Sequence, residues 1–445
     1  MRRFCTFLAA LALPLLIAPA AFAGAGGGSS GFGGGGGGFG GGGGGGFGGG
    51  YGGGGGYGGH VSFAAFAAVV VLGVFAVAAF MVWAALSVAR DKHRRAERAK
   101  KVRLASAEAA TDDADFGYDA VMKSAPDLYI ACQEAWDARD RDKLEKLVGG
   151  DLLVEWTRRL DDFDRKGWHN RVAVHGRPKV EYMGLVNRAG EADDRIVVRI
   201  QAQQDDYVET NNKQVVLERG QSSKRVSVTQ WWTLAQRDDA WIVVSIESDN
   251  EGTHHLSDAI VAVPEADDQQ LHDEATVELA QADAAPAGTK TAEIADLDFD
   301  GDARAQALDL SLADARFAPD VLEVAVRRAV AGWAEAIDGE DAALDAVASP
   351  EVAQQLLYPG DATRTTRLVV RGPQIKAVRI VKLDASQEPA RMQVDVEVSG
   401  RRYTENRDTA AVLSGSKDHA ASFTEHWTLA IDGPAENPWR IVATR

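Results

Sequence analysis

The sequence contains nearly the same strand-like phrase twice, and this repeat restricts the fold more than any other feature. The phrase "TQWWTLA" occupies residues 229–235, and "TEHWTLA" occupies residues 424–430. Further residues pair at almost the same separation along the chain: Trp136 with Trp333, Gly176 with Gly372, Tyr207 with Tyr403, and Trp241 with Trp439. A separation this constant predicts two copies of one fold that differ by short loop changes.

Within each copy, helical spacing precedes strand-like spacing. In the first copy, apolar residues recur at helical intervals from Leu128 to Trp136 and again from Leu152 to Phe163. After Gly176, β-branched and aromatic runs separated by turn residues predict an antiparallel meander of about four strands. Helices grouped before a sheet indicate an α+β fold, so we predict helices packed on a curved antiparallel sheet in each copy.

The N-terminal part has a different composition. Two arginines precede an apolar run that ends in small residues, which predicts a cleaved signal peptide over residues 1–23. Residues 24–60 are almost entirely glycine and predict a disordered spacer, with a sticky, wall-associating tail as the alternative. Residues 61–89 contain no charge, and this stretch exceeds the roughly 20 residues that a membrane-crossing helix needs. We therefore predict a single transmembrane helix.

A basic segment, residues 90–117, follows the apolar stretch. Positive residues beside a spanning helix stay on the cytoplasmic side, so we expect this segment to be juxtamembrane. The topology implies a single-pass protein of a bacterial inner membrane, with an extracytoplasmic glycine tract and cytoplasmic C-terminal domains. The candidate membrane-surface cations are Arg94, Arg95, Arg98, Lys100, Lys101 and Arg103.

Charge and cysteine content exclude several kinds of site. The formal net charge is −17, and because the juxtamembrane segment is basic, the body after it is strongly acidic. Nucleic-acid binding depends on neutralising phosphates with Lys and Arg, so it is not expected. Only Cys5 and Cys132 occur, so neither a disulfide framework nor a clustered Cys/His zinc site is predicted. We expect no cofactor and no metal.

Residues 251–304 are acidic and Ala/Pro-rich, which predicts a linker between the copies. His254 and His255 fall in this linker and are predicted to be solvated, because no partner ligands occur at usable spacing. The run from Asp296 to Gly301 resembles the start of a calcium-binding loop. Its twelfth position is Ala307 instead of the required Glu, which favours an acidic linker.

Residues 118–250 resemble a known family. Their runs "NRVAVHGRPKVEYMGLV", "DDRIVVRIQAQQDDYV" and "VTQWWTLAQRDDAWIVVSI" are similar to the C-terminal domain of subunit 44 of the mitochondrial inner-membrane translocase. Residues 305–445 resemble a diverged member, chiefly at their tryptophan strands. The resemblance implies two tandem cone-shaped domains, similar to nuclear transport factor 2, that dock a protein or lipid partner beside a translocation machine. The spanning helix departs from the mitochondrial protein, so recruitment of a chaperone motor is not implied.

The resemblance further implies an apolar pocket in each cone. Alternation along the strands places the polar Gln230 and Glu425 on the same face as Trp232 and Trp427. Core packing is the alternative explanation for the tryptophans. The candidate pocket residues are Trp136, Trp156, Tyr182, Gln230, Trp232, Trp333, Glu425 and Trp427.

No carboxylate, His or Tyr set recurs at equivalent pocket positions of the two copies. We therefore predict a membrane-tethered binding or scaffold protein that is not an enzyme. The alternative is a small-molecule sensor or enzyme that uses one cone pocket. The partner's identity and the oligomeric state stay open.

Overall fold

The computed structural model describes residues 25–27, 29–32, 63–188, 194–263, 298–339, 341–434 and 437–445. The predicted signal peptide, most of the glycine tract and the centre of the predicted linker lie outside these residues. The described residues form helices and two separate sheets, so the α+β class is confirmed. The α-helices are α1 Phe63–Ala109, α2 Tyr118–Ala138, α3 Arg141–Leu147, α4 Gly150–Lys166, α5 Ala303–Ser311, α6 Pro319–Asp338, α7 Ala342–Asp345 and α8 Pro350–Leu357.

The first sheet is antiparallel and has the strand order β1-β2-β4-β5, with the short β3 beside β2. Its inner face packs on α2 and α4, and we call residues 98–263 the first unit. The strands are β1 Trp168–Val186, β2 Arg195–Thr210, β3 Val215–Val216, β4 Arg225–Arg237 and β5 Ala240–Ser248.

The second sheet has the order β11-β10-β8-β7-β6, with β9 beside β8. Only the short β6 runs parallel to its neighbour among the described strands. We call residues 298–445 the second unit, in which three helices and five strands, α6 to α8 and β7 to β11, follow the order of α2 to β5. The strands are β6 Asp298–Phe299, β7 Thr366–Asp384, β8 Arg391–Asn406, β9 Ala411–Gly415, β10 Ala421–Ile431 and β11 Trp439–Thr444.

Each unit has its own hydrophobic core, and the repeated phrase lies at its centre. Trp232 on β4 is fully buried, and its ring centroid stands 4.9 Å from that of Tyr129 on α2. Trp427 on β10 is 2% exposed, and its centroid lies 5.6 Å from that of Trp333 on α6. Both strands are flanked on each side, so their inward tryptophans are shielded by neighbours.

The first long strand starts earlier than predicted. We expected strands only after Gly176, but β1 begins at Trp168, which pairs with Thr210 of β2. The register shifts between His175 and Lys179, around a glycine whose φ is +74°. The change of pattern at Gly176 thus marks a β-bulge inside one bent strand instead of a strand start.

Helix α1 continues well beyond the predicted spanning segment. It runs without a break to Ala109, and Val102 and Ala109 belong to the core of the first unit. The predicted juxtamembrane segment is therefore partly core. In the part of the chain that the structure describes, no helix combines the length and apolar character needed to cross a membrane. The predicted spanning helix over residues 61–89 is not supported.

One predicted membrane-surface cation is instead part of the packing of α1. Arg98 is buried, and its Nε donates to the carbonyl oxygen of Met183 on β1 at 2.7 Å. Its Nη1 donates to the carbonyl oxygen of Asp258, also at 2.7 Å. A side chain held by two backbone carbonyls cannot lie on a membrane surface. Arg95 is half-buried, whereas Arg94, Lys100, Lys101 and Arg103 are exposed.

The predicted linker begins with an ordered element, the 3₁₀ helix Glu251–Leu256, which we call the linking helix. It covers Trp231 on the outer face of β4, so closely that a Cβ on Gly252 would overlap the indole. The prediction that His254 and His255 are solvated is wrong, since His255 is buried and His254 nearly so. An apolar outer face needs a cover, and the linking helix provides it.

Candidate functional site: a cleft between the two units

A cavity of about 310 Å³ lies between the two units. The first unit lines it with side chains of α4 and β5, and the second unit with the end of α6 and with β7 and β8. Its volume is at the lower end of the range typical of ligand sites, about 300–1,000 Å³. The cationic lining residues are Arg159, Arg367, Arg371, Arg407 and Lys417.

Helix α4 positions the first-unit side of the cleft. Trp156, Leu160 and Phe163 form its buried stripe at helical spacing. Glu155 and Arg159 lie four residues apart beside that stripe, so they point past the core toward the second unit. The helix ends at Gly167, which adopts the left-handed conformation with φ +66° that favours glycine.

Buried ion pairs cross the cleft from α4 to β8. Arg159 Nη2 lies 2.7 Å from Glu405 Oε1 and 3.4 Å from Glu155 Oε2. Arg407 Nε lies 2.7 Å from Glu155 Oε1, and Lys417 pairs with Glu405. Separating the units would break the pairs of Arg159 with Glu405 and of Arg407 with Glu155. The network therefore holds the two units in one relative position.

Two carboxyl groups at the cleft have shifted pKa values. Burial alone would raise the pKa of Glu405, but Lys417 and Arg159 lower it to about 2. Glu405 therefore keeps its charge, and its partners, at neutral and mildly acidic pH. Burial raises the pKa of Glu218 on the cavity wall to about 7, against a hydrogen bond from Gln221. Glu218 thus changes charge near neutral pH.

The first residues of the predicted glycine tract also lie in the cleft. We call the described residues 25–27 and 29–32 the N-terminal segment. Phe32 is 2% exposed, and its ring centroid stands 6.4 Å from that of Phe163, edge to face. The prediction of disorder for residues 24–60 is therefore wrong for residues 25–27 and 29–32. Composition alone does not reveal that an apolar site exists for Phe32.

Backbone groups of the N-terminal segment bond to both units. The N–H of Ala25 donates to Oε1 of the buried Gln133 on α2 at 2.7 Å. The N–H of Ser30 donates to the carbonyl oxygen of Thr409 in the second unit at 3.1 Å. The segment thus bridges the units by contacts that depend little on its side chains.

Two positions of the segment contact α4 more specifically. Gly26 lies so close to Trp156 that a Cβ at position 26 would overlap the indole, and its carbonyl oxygen accepts from Arg159. The hydroxyl of Ser29 donates to Asp162. The cleft therefore favours small residues beside α4 and an aromatic residue at the far end.

Of the predicted pocket residues, Trp156 lines this cavity. The others lie within the units, where interlocked aromatic rings fill the space in which we had expected a pocket. Tyr182, for example, is buried and donates to the carbonyl oxygen of Phe116 at 3.3 Å. The residues away from the cavity are Trp136, Tyr182, Gln230, Trp232, Trp333, Glu425 and Trp427.

The two polar pocket candidates differ from each other. Gln230 is 3% exposed, and its Oε1 accepts from Nε1 of Trp232 at 3.0 Å, so it is a satisfied core residue. Burial raises the pKa of Glu425, against the opposing effects of Arg402 and His426. The nearest cation, Arg402, has its Nη2 3.8 Å from Glu425 Oε1.

Sequence reasoning missed the second-unit side of the cleft. Its charged residues are an even number of positions apart, which places Arg367 and Arg371 on one face of β7. Glu405 lies near the end of β8, and Arg407 follows two positions later in the turn after that strand. Charged residues on one face of a half-buried strand indicate an interface, and this signal was present in the sequence.

One part of the chain matches a known protein family. Residues 102–248 match the family model of the Tim44-like domain. The first unit contains a Tim44-like domain. No curated protein matches the chain. The Tim44-like domain therefore contributes one wall of the cleft, α4 and β5, and the remaining wall lies outside the match.

Two solved structures are similar to parts of the chain. The intermembrane space region of the chloroplast protein ARC6 is 11% identical with a TM-score of 0.23, over 28% of this chain and 95% of that one. An Ntf2-like protein involved in plasmid conjugation is 9% identical with a TM-score of 0.16, over 72% and 91%. At these TM-scores neither likeness carries an argument about fold or function.

Proposed function

We propose that this protein is a membrane-associated binding protein, without enzymatic activity, whose inter-unit cleft binds an extended polypeptide segment. The observation that carries the proposal is the N-terminal segment itself. It lies in the cleft as a ligand would, with Phe32 buried as an anchor and its backbone bonded to both units. An aromatic anchor with backbone hydrogen bonds is a usual mode of peptide recognition.

The Tim44-like domain supports a scaffold role at a membrane, related to translocation. The exposed apolar residues of α1 support membrane association: Phe75 is 68% and Trp83 63% exposed. A helix that exposes large apolar side chains in this way favours a lipid or protein environment over water. The proposed location is a bacterial inner membrane, with both cone-shaped units on the cytoplasmic side.

In the structure the N-terminal segment fills the cleft. In the proposed sequence of events, this segment leaves the cleft when the chain associates with the membrane through the exposed apolar residues of α1. A segment of a partner protein then takes its place, and the anchored cleft needs only modest affinity for a partner at the same membrane.

Titration with a peptide tests whether the cleft binds an extended polypeptide segment. A fluorescent peptide with the sequence of residues 25–32, AGGGSSGF, is titrated into the full chain and into a variant that lacks those residues. We expect saturable binding to the variant and at least about tenfold weaker binding to the full chain, whose own segment competes at high effective concentration. A variant that lacks residues 41–48 instead is the matched control and should behave like the full chain.

The outcomes separate the proposal from its alternative. A peptide carrying Phe32→Ala should bind much more weakly, because the buried anchor is lost. If the peptide does not bind saturably to the variant without residues 25–32, the proposal is contradicted. If that variant is instead stabilised against heat by small polar metabolites, the cleft serves a small-molecule sensor.

Membrane association is tested separately by extracting cell membranes that contain the full chain with alkaline carbonate. The chain should remain in the pellet, and replacing Phe80 and Trp83 together with serine should weaken that retention. Release of the unaltered chain by salt alone would contradict membrane insertion.

A further inference from the structure

A cluster of titratable side chains lies beside the cleft, where the linking helix meets β5. Glu247 is 2% exposed at the end of β5, and His254 and His255 point at it from the linking helix. His254 Nε2 lies 2.9 Å from Glu247 Oε2, and His255 Nε2 lies 3.0 Å from Glu247 Oε1. One buried carboxylate thus faces two imidazole nitrogens of the same type.

These separations suit a tetrahedral metal ion. Zinc binds imidazole nitrogen and carboxylate oxygen at about 2.0–2.2 Å, so neighbouring ligand atoms around it stand about 3.3 Å apart. The three potential ligand atoms here all lie within 4.8 Å of one another. A fourth oxygen is close by, since Asp338 Oδ2 lies 3.9 Å from His254 Nε2. Small side-chain adjustments would bring all four atoms around one ion.

The groups around the cluster fix the imidazoles in the orientation that ligation requires. His255 Nδ1 lies 2.6 Å from Asp258 Oδ2, and His254 Nδ1 lies 3.9 Å from Asp258 Oδ1. A carboxylate on Nδ1 directs Nε2 to the metal and strengthens it as a ligand, which is the usual arrangement at zinc sites. Asp338 pairs with Arg371 through Oδ1, which leaves Oδ2 facing the cluster.

Close packing brings the two units together at this point. Gly372 on β7 has φ +57°, and a Cβ there would lie 2.5 Å from Cβ of His254. Glycine therefore allows both the backbone conformation and the approach of the second unit to the linking helix. The four potential ligands come from β5, the linking helix and α6, so they span both units.

We infer that Glu247, His254, His255 and Asp338 bind one structural zinc ion that joins the two units. Four protein ligands complete a tetrahedral site and leave no open position for substrate, as in structural zinc centres. The zinc site does not depend on the proposed function, because it holds the units together whether or not the cleft binds a peptide.

The competing explanation is a metal-free ion cluster. Burial alone would lower the pKa of His254, but Glu247 raises it well above its usual value. Burial alone would also lower the pKa of His255, but Glu247 raises it above its usual value. Two protonated imidazoles would then share Glu247 without a metal, and zinc would have to displace their protons. The two explanations differ in metal content, which is measurable.

The experiment measures metal in the full chain, purified in detergent with a tag that contains no histidine. Elemental analysis should find about one zinc ion per chain, the stoichiometry of a single four-ligand site. Cobalt substituted for zinc should give the visible absorption bands of a tetrahedral site. Removal of the metal with a chelator should lower the midpoint of thermal unfolding, and added zinc should restore it.

Variants locate the ion. His254→Gln with His255→Gln should remove the zinc, whereas Asp258→Asn should weaken zinc affinity about 10–100-fold without abolishing it. His426→Gln is the matched control, because His426 pairs with Asp395 at 2.6 Å on the exposed face of the second sheet, away from the cluster. The His426→Gln variant should contain as much zinc as the wild type.

Two outcomes would overturn the assignment. Wild-type chain that contains no zinc and takes up no cobalt would leave the metal-free ion cluster as the explanation, whatever the variants do. Zinc retained at full stoichiometry by the His254→Gln, His255→Gln variant would place the ion elsewhere.

Discussion

The two units place their buried polar groups in different regions. In the first unit these groups run through the core: Tyr129 bonds to Gln204 at 2.7 Å, and Asn170 bonds to Asp206 at 2.8 Å. Both units also bury indole N–H groups without a partner: those of Trp156 and Trp241 in the first unit and of Trp333 and Trp427 in the second. Among the described residues, three of the four buried charged side chains of the second unit, Arg367, Glu405 and Arg407, face the first unit. The fourth, Glu323, pairs with Arg327 on α6.

The difference shows that one set of helices and strands can hold its polar groups either inside or at an interface. A polar core requires that every member be satisfied, which makes the first unit sensitive to protonation. Charges at an interface are satisfied only while the partner is docked. We therefore expect the first unit to respond to pH and the second unit to depend on its neighbour.

The largest expected effect concerns the docked second unit. Arg407→Ala removes the cation nearest to Glu155 and leaves that carboxylate buried with weaker partners, Arg159 at 3.4 Å and Arg367 at 4.0 Å. Breaking a buried ion pair in this way costs about 3–5 kcal/mol. In chemical denaturation we expect the second unit to unfold earlier, as a separate transition.

The matched control for this experiment is Arg379→Ala. Arg379 pairs with Asp298 on the surface of the second unit, and both side chains are largely exposed. Exposed pairs contribute little to stability because water screens them, so the control should leave the denaturation curve almost unchanged. Equal costs for the two variants would show that the units are not held together by the network.

The next effect concerns the first unit and pH. Burial raises the pKa of Asp206 to about 7, against hydrogen bonds from Asn170 and Gln204, with Glu218 adding to the rise. A carboxyl group whose folded pKa is raised keeps its proton where the unfolded chain has lost it. Stability therefore falls as pH increases from about 4 to 7, by on the order of 4 kcal/mol for this group.

The Asp206→Asn variant lacks this titrating group, so its unfolding free energy should change less between pH 5 and pH 8 than that of the wild type. The pKa of Glu218 is raised in the same way, so the unfolding free energy of the variant still depends on pH to a smaller extent. The control is Asp205→Asn. Burial opposes a lowered pKa of Asp205, but His175 and Arg225 together lower it below its usual value, so this carboxyl group stays ionised between pH 5 and pH 8. An unchanged slope in Asp206→Asn would refute a proton-sensitive core.

The sequence predicted the framework of both units better than their site. Periodicity placed the stripes that contain Trp156 and Trp333 on buried helix faces, since burial of an apolar stripe depends mainly on local spacing. The cleft could not be located in this way. It depends on which faces of α4, β7 and β8 meet, and that is decided by contacts between residues hundreds of positions apart.

The tryptophans illustrate the same limit. Spacing placed Trp136 and Trp333 on apolar helix stripes, although we had also predicted both as pocket residues, and it could not tell which indole N–H finds a partner. Trp136 Nε1 donates to Asn170 Oδ1 at 2.8 Å, whereas Trp333 Nε1 has none. The partner lies on a strand 34 residues away, and its presence follows from register.

The smallest expected effect tests this contrast with matched changes, Trp136→Phe and Trp333→Phe. Both remove the same volume, but only the first leaves a buried Asn170 oxygen without its donor, which costs about 1–3 kcal/mol more. Urea denaturation should show that difference, and equal costs would contradict it. Asn170 is held by Trp136 so that its Nδ2 reaches Asp206. The penalty of Trp136→Phe should therefore be larger at pH 8, where Asp206 is ionised, than at pH 5, and that of Trp333→Phe should not depend on pH.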